Sequence, residues 1–276
     1  MLFGVAVVLY LMFSYGNDCP RRRRLRERAD LCATRAARGI RRHKLRIRTM
    51  GSIAVLQAKI CGAGISLKGI LGLPEQPQGV VVFAHGSGSG RFSPRNQFVA
   101  RHLEAGRFAT LLLDLLAPDD ADDRRKVFDI DLLADRLLLA ENWLTQHPRT
   151  IGLAVGYFGA STGAAAALQA AAREPQRVKA VVSRGGRPDL AGPYLDRVMA
   201  PTLLLVGDHD QPVLAMNQEA FARLTCRKEL GIVPGATHLF EEPGTLEQVA
   251  EMALGWFQRY LLTEASPPVA DPPRKG

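Results

Sequence analysis

From Ser52 onward, short apolar runs alternate with longer stretches in which apolar residues recur every three or four positions. Residues 54–60 and 65–73 flank Cys61-Gly62-Ala63-Gly64 and predict two strands around a turn. With no helix between them, they are expected to pair as an antiparallel edge hairpin. Residues 80–84 are wholly apolar, the pattern of a strand covered on both faces. A helix is predicted over 96–104, with Phe98, Val99 and Leu103 on one face and Gly106 as its stop. A strand at 108–113 and an acidic loop at 114–123 come next. They lead to a helix over 131–146 with Leu132, Leu133, Leu137, Leu139 and Trp143 to bury. The second half continues the alternation. It predicts strand 151–158, helix 162–173, strands 178–183 and 202–206, helix 212–224, strand 228–233 and a closing helix over 245–262. That last helix groups Val249, Ala253, Trp256, Phe257 and Tyr260 on one face. Strands alternating with helices define an α/β class, a mostly parallel sheet with helices on both faces.

One junction in this pattern carries chemistry. The apolar run 151–158 ends in Gly159-Ala160-Ser161-Thr162-Gly163, and an alanine-rich helical stretch follows at once. Strand, sharp turn and helix with serine at the apex is the context of the G-x-S-x-G nucleophile elbow. The turn is tight enough to need small neighbours, and it aims the first amides of the helix at whatever the hydroxyl attacks.

A serine needs a base, and the base needs an orienting acid. In an open α/β sheet such groups lie on loops just after strand ends. After strand 202–206 comes Gly207-Asp208-His209-Asp210-Gln211-Pro212, where Asp210 is the expected acid and Asp208 the alternative. After strand 228–233 comes Gly235-Ala236-Thr237-His238, where His238 is the expected base. The order Ser161, Asp210, His238 suits a hydrolase of this kind. The oxyanion is expected to be held by two backbone amides, those of Thr162 and of Ser87 in the loop His85-Gly86-Ser87-Gly88-Ser89-Gly90. His85 is expected to support that loop, with substrate contact as the alternative. Arg184 and Arg187, just past strand 178–183, are candidates for binding an anionic substrate group. An ion pair with Asp189 or with a residue of the acidic loop is the competing reading. Arg91 has a weaker case.

Charge changes the picture only at the N-terminus. The chain's net charge is +9. Residues 1–49 hold twelve arginines and Lys44 against Asp18, Glu27 and Asp30, so the rest is almost neutral and gives no electrostatic case for nucleic acid. The composition breaks sharply at Met50. An upstream extension with translation starting at Met50 is expected. The alternatives are a short membrane anchor in residues 1–16, which would keep the domain on the cytoplasmic side, and a basic arm. The expected organisation is therefore 1–49 extension, 50–264 domain and 265–276 disordered tail. The four cysteines lack metal-ligand spacing and are expected to be reduced thiols in a cytoplasmic protein, with Cys61 and Cys226 in the core. Asp119, Asp120, Asp122 and Asp123 are followed by Arg124, Arg125 and Lys126. They are expected to form a self-neutralising loop, with no metal site.

From about Ser52 to Leu262 the chain resembles the α/β-hydrolase superfamily, and within it the dienelactone-hydrolase-like group. The motifs that carry the resemblance are His85 to Gly90, Gly156 to Gly163, Gly207 to Val213 and Gly235 to Phe240. Dienelactone hydrolases proper use a cysteine nucleophile, and Ser161 stands in that place here. The resemblance therefore implies a serine esterase for small-molecule esters, with no cofactor and little lid.

Overall fold

The structure, a computed structural model, describes residues 52–262 apart from residue 63 and residues 118, 119, 121 and 122. The expectations for residues 1–49 and 265–276 lie outside the described residues. Eight strands form one sheet: β1 (Ala54–Gly62), β2 (Ile65–Leu73), β3 (Val80–Ala84), β4 (Ala109–Leu113), β5 (Val155–Ala160), β6 (Val178–Arg184), β7 (Thr202–Gly207) and β8 (Lys228–Val233). Their spatial order is β1-β2-β4-β3-β5-β6-β7-β8. β2 runs antiparallel to β1 and β4, and the remaining pairs are parallel. The expected edge hairpin is thus present.

Helices cover both faces: α1 (Pro94–Ala105), α2 (Arg124–Val127), α3 (Ile130–Leu144), α4 (Thr162–Arg173), α5 (Gln211–Arg223) and α6 (Thr245–Leu261). Alternate residues of one strand feed opposite cores. Val80 and Val82 pack among residues of α3 and α4, whereas Val81 and Phe83 pack with α1 and α6. This two-sided burial leaves every residue of β3 and β4 buried, and all of them except Thr110 are apolar. Helix α4 is buried from Thr162 to Ala172. Its alanines let it lie close to the sheet, where larger side chains would clash. Among the described residues, no helix is long and apolar enough to cross a membrane.

Several boundaries differ from expectation. The central strand occupies 155–160 rather than 151–158, because its ladder with β3 begins at Val80↔Val155. Ile151 lies in a turn and is exposed. In α3 the buried stripe is Ile130, Leu133, Ala134, Leu137, Ala140, Glu141 and Leu144, and Leu132, Leu139 and Trp143 are only half-buried. Cys61 is exposed rather than in the core, because only Ala58 and Ile60 of edge strand β1 turn inward. Cys226 is half-buried. Of the acidic loop's aspartates, Asp120 pairs with Lys126 and Asp123 with Arg125, while Asp119 and Asp122 lie outside the described residues.

The strands of the parallel region end at one edge of the sheet. Ala84, Ala160, Arg184, Gly207 and Val233 are the last residues of β3, β5, β6, β7 and β8. The five loops that follow them are brought together there, although they are scattered over the sequence.

Candidate active site

Ser161 sits at φ 50°, ψ −123°, in the positive-φ region that a side chain enters only under constraint. The constraint is visible on both sides. Its amide donates to the Arg184 carbonyl at 3.3 Å, and its carbonyl accepts from the Arg187 amide at 3.0 Å. A Cβ on Gly159 would overlap the backbone of Ala164, and one on Gly163 would overlap the Ala84 carbonyl oxygen. Both glycines of the elbow are therefore fixed by close backbone approach. Gly163→Ala is expected to cost about 2–3 kcal/mol, measured by denaturant unfolding.

His238 and Asp210 come from separate loops. The Nδ1 of His238 lies 2.7 Å from Oδ2 of Asp210. An imidazole nitrogen this close to a carboxylate carries its proton there, which leaves Nε2 as the basic atom. Asp210 occupies the N-cap position of α5 yet makes no side-chain cap bond, because its carboxylate is turned to His238. Asp208 instead lies 3.8 Å from His209. The two loops are locked together: the His209 amide donates to the Ala236 carbonyl at 3.0 Å, and a Cβ on Gly207 would strike that same oxygen. Ser161 and His238 line one cavity of about 230 Å³ with Gly86, Ser87, Arg95 and Arg184.

The glycine loop after β3 passes directly over the serine. A Cβ on Gly86 would lie 2.9 Å from that of Ser161. Neither the Ser87 nor the Thr162 amide donates to a backbone carbonyl among the described residues. Thr162 opens α4, where such amides are unpaired by geometry. A second cavity, of about 360 Å³, shares Gly86, Ser87 and Ser89 of the loop with the first. Its walls include Thr162, His85, Leu116, Val127 and Leu133.

His85 has both ring nitrogens engaged within the protein, so it has no polar atom left to offer a substrate. Nδ1 donates to the Gly86 carbonyl at 2.9 Å, and Nε2 accepts the Leu115 amide at 3.0 Å. Burial pushes its pKa below the usual histidine value, against the opposing effects of the Gly86 bond and Asp114, and this favours the neutral ring. The Gly86 carbonyl belongs to the same peptide unit as the Ser87 N–H. In a trans peptide the two point in opposite directions, so the ring sets where the Ser87 amide aims. His85→Ala is expected to lower kcat about ten- to a hundredfold with little change in KM, read by steady-state kinetics.

The two arginines part company. Arg187 makes a bidentate pair with Asp189, at 2.9 and 2.7 Å, the ion pair that was the competing reading for it. Arg184 is only 7% exposed and has no carboxylate partner among the described residues. Arg91 is held by Asp114 through its amide and its guanidinium. The sequence reading missed the contribution of α1. Ser93 caps that helix, accepting from the Asn96 amide, and Ser93, Arg95 and Asn96 all line the serine's cavity. The Ser93-Pro94 pair, a cap followed by proline at the first helical position, was the available signal.

An eight-stranded, mostly parallel sheet with this elbow at its edge defines an α/β-hydrolase fold. The dienelactone hydrolase family profile matches residues 67–261, and the chain belongs to that family. A dienelactone hydrolase from Anabaena variabilis is 52% identical, with a TM-score of 0.74 over 76% of this chain and 99% of that one. An esterase of Pyrococcus furiosus shares the fold at 16% identity, with a TM-score of 0.63, over 76% of this chain and 94% of that one. A Mycobacterium tuberculosis protein named "Putative phosphoribosyl transferase" is 57% identical over 205 residues, 74% of this chain and 46% of its own length. The chain thus spans about half the length of the curated relatives it matches. Residues 67–261 are thus a dienelactone hydrolase family domain with the α/β-hydrolase fold.

Proposed function

We propose that the domain hydrolyses carboxylic esters through an acyl-enzyme on Ser161, with His238 as general base and acid and Asp210 as its orienting carboxylate. The carrying observation is the 2.7 Å His238–Asp210 bond at the sheet edge, in a cavity shared with the strained serine. In the first half-reaction the Ser161 oxygen attacks the ester carbonyl carbon, and its proton passes to His238 Nε2. The carbonyl oxygen becomes an oxyanion facing the Ser87 and Thr162 amides. The carbon–oxygen bond to the alcohol breaks, and His238 returns the proton to the leaving oxygen. In the second half-reaction water gives its proton to His238 and attacks the acyl carbon. Ser161 leaves with that proton, and the carboxylic acid departs. No step calls on a metal or cofactor.

The short connection between β6 and β7, mainly the 3-10 segment Pro188–Arg197, supports small soluble esters over aggregated lipid. The transferase name of the mycobacterial relative belongs to a protein of which the match covers only 46%, and it does not decide the chemistry of this domain. The test is labelling with a fluorophosphonate followed by peptide mapping. A single adduct on Ser161 is expected. A folded protein that never labels there would favour a binding domain without catalysis.

A further inference from the structure

Arg184 is an expensive residue to keep. The residue is more than nine-tenths buried, and its Nε and Nη1 have no hydrogen-bond partner among the described residues. Its Cζ lies 6.0 Å from the Phe240 ring, a contact that offsets little of the desolvation of a full charge. Burial, and secondarily the like charge of Arg95, pull its pKa down to about 10, so it remains cationic at neutral pH. Arg95 is tied to Glu241 at 2.8 Å and does nothing to neutralise it. The side chain lines the serine's cavity, facing the first turn of the twelve-residue helix α1, whose N-terminus adds a positive field of its own. An unpaired buried cation opposite a helix N-terminus lacks one thing, an anion.

The side of the cleft matters as much as the charge. His238 must hand a proton to the leaving oxygen, so the alcohol portion of the ester has to lie where His238 lies. His238 lines the 230 Å³ cavity with Arg184, and not the 360 Å³ cavity. With the carbonyl oxygen held at Ser87 and Thr162, the acyl portion extends past them into the larger cavity, toward Leu116, Val127 and Leu133. We infer that the substrate is an ester of an apolar acid with a small alcohol that itself bears a carboxylate or phosphate, and that Arg184 binds that anion on the leaving-group side. The inference rests on the reading of Ser161 and His238 given above.

The experiment compares kcat/KM for four esters: 2-(hexanoyloxy)acetate, its neutral amide, 2-(hexanoyloxy)ethyl phosphate and monomethyl adipate, whose charge is on the acyl side. Wild type, Arg184→Met, Arg184→Lys and Ser161→Ala are assayed. Wild type is expected to favour at least one leaving-group anion over the neutral amide by tenfold or more, and the favoured one distinguishes carboxylate from phosphate. Arg184→Met should cut that ratio at least tenfold, and Arg184→Lys should restore part of it. Monomethyl adipate should gain nothing from Arg184. Arg184→Met should also melt no lower than wild type, since it removes a buried charge that has no partner.

Equal losses on charged and neutral esters, a preference for the acyl-side anion, or a lower melting temperature with an unchanged ratio would each overturn the inference. Neutral turnover that depends on Ser161 but shows no leaving-group preference sinks it while leaving the esterase reading intact. No Ser161-dependent turnover of any ester sinks both. If Arg184→Met does not fold, inhibition of wild type by glycolate against glycolamide decides the same point, and equal inhibition overturns it.

Discussion

Ser161→Ala is expected to lower kcat by about 10⁶ on any ester the domain accepts, and to abolish fluorophosphonate labelling. The remaining rate would come from the oxyanion donors and from binding, which together leave roughly 10³–10⁴ over the uncatalysed reaction. Stability should hold or rise slightly, because alanine keeps the Cβ that packs under Gly86 and loses only a hydroxyl. Stopped assays on variant purified free of host esterases, with a thermal melt in parallel, measure both. A variant that folds and keeps more than about one part in a hundred of the activity would remove Ser161 from the chemistry.

Asp210→Asn is expected to cost about 10⁴ in kcat with little change in KM. The side chain would keep its place, 2.7 Å from His238, but an amide can present its NH₂ to the ring. The ring then protonates at Nε2, and the base faces away from the serine. Asp208→Asn, two residues earlier, should lower kcat less than about threefold, since Asp208 faces His209 instead of His238. Running the two variants side by side by steady-state kinetics assigns the acid. A larger loss at Asp208 would reverse the assignment.

The rival readings of the loop after β7 show where sequence reasoning stopped. Both aspartates stand after a strand, both precede a helix, and either could serve as cap or as acid. The choice between them depends on which carboxylate the β8 loop reaches, and that is set by the Asp208–Val233 and His209–Ala236 backbone bonds. Arg184 and Arg187 were equally ambiguous. They stand three residues apart beside an aspartate, and only the packing shows that Asp189 satisfies one and leaves the other buried and unpaired. The α1 cap at Ser93 is legible in the sequence, but a helix N-terminus gives no hint there of the cavity it will face.

What the chain determines by itself is local. The period of apolar residues marks strand or helix, because each element must bury a face. Gly159 and Gly163 around Ser161 mark the elbow, because backbone approaches too closely there for a Cβ. The order of serine, acid and histidine follows from where strand ends fall. What only the tertiary structure decides is pairing: Asp210 with His238, Asp189 with Arg187, His85 with the peptide that carries the Ser87 amide, and no partner for Arg184. The physical reason is distance along the chain. Residues from five loops meet at one sheet edge, and a hydrogen bond that closes over 28 residues, as from Asp210 to His238, leaves no periodic trace in the sequence between them.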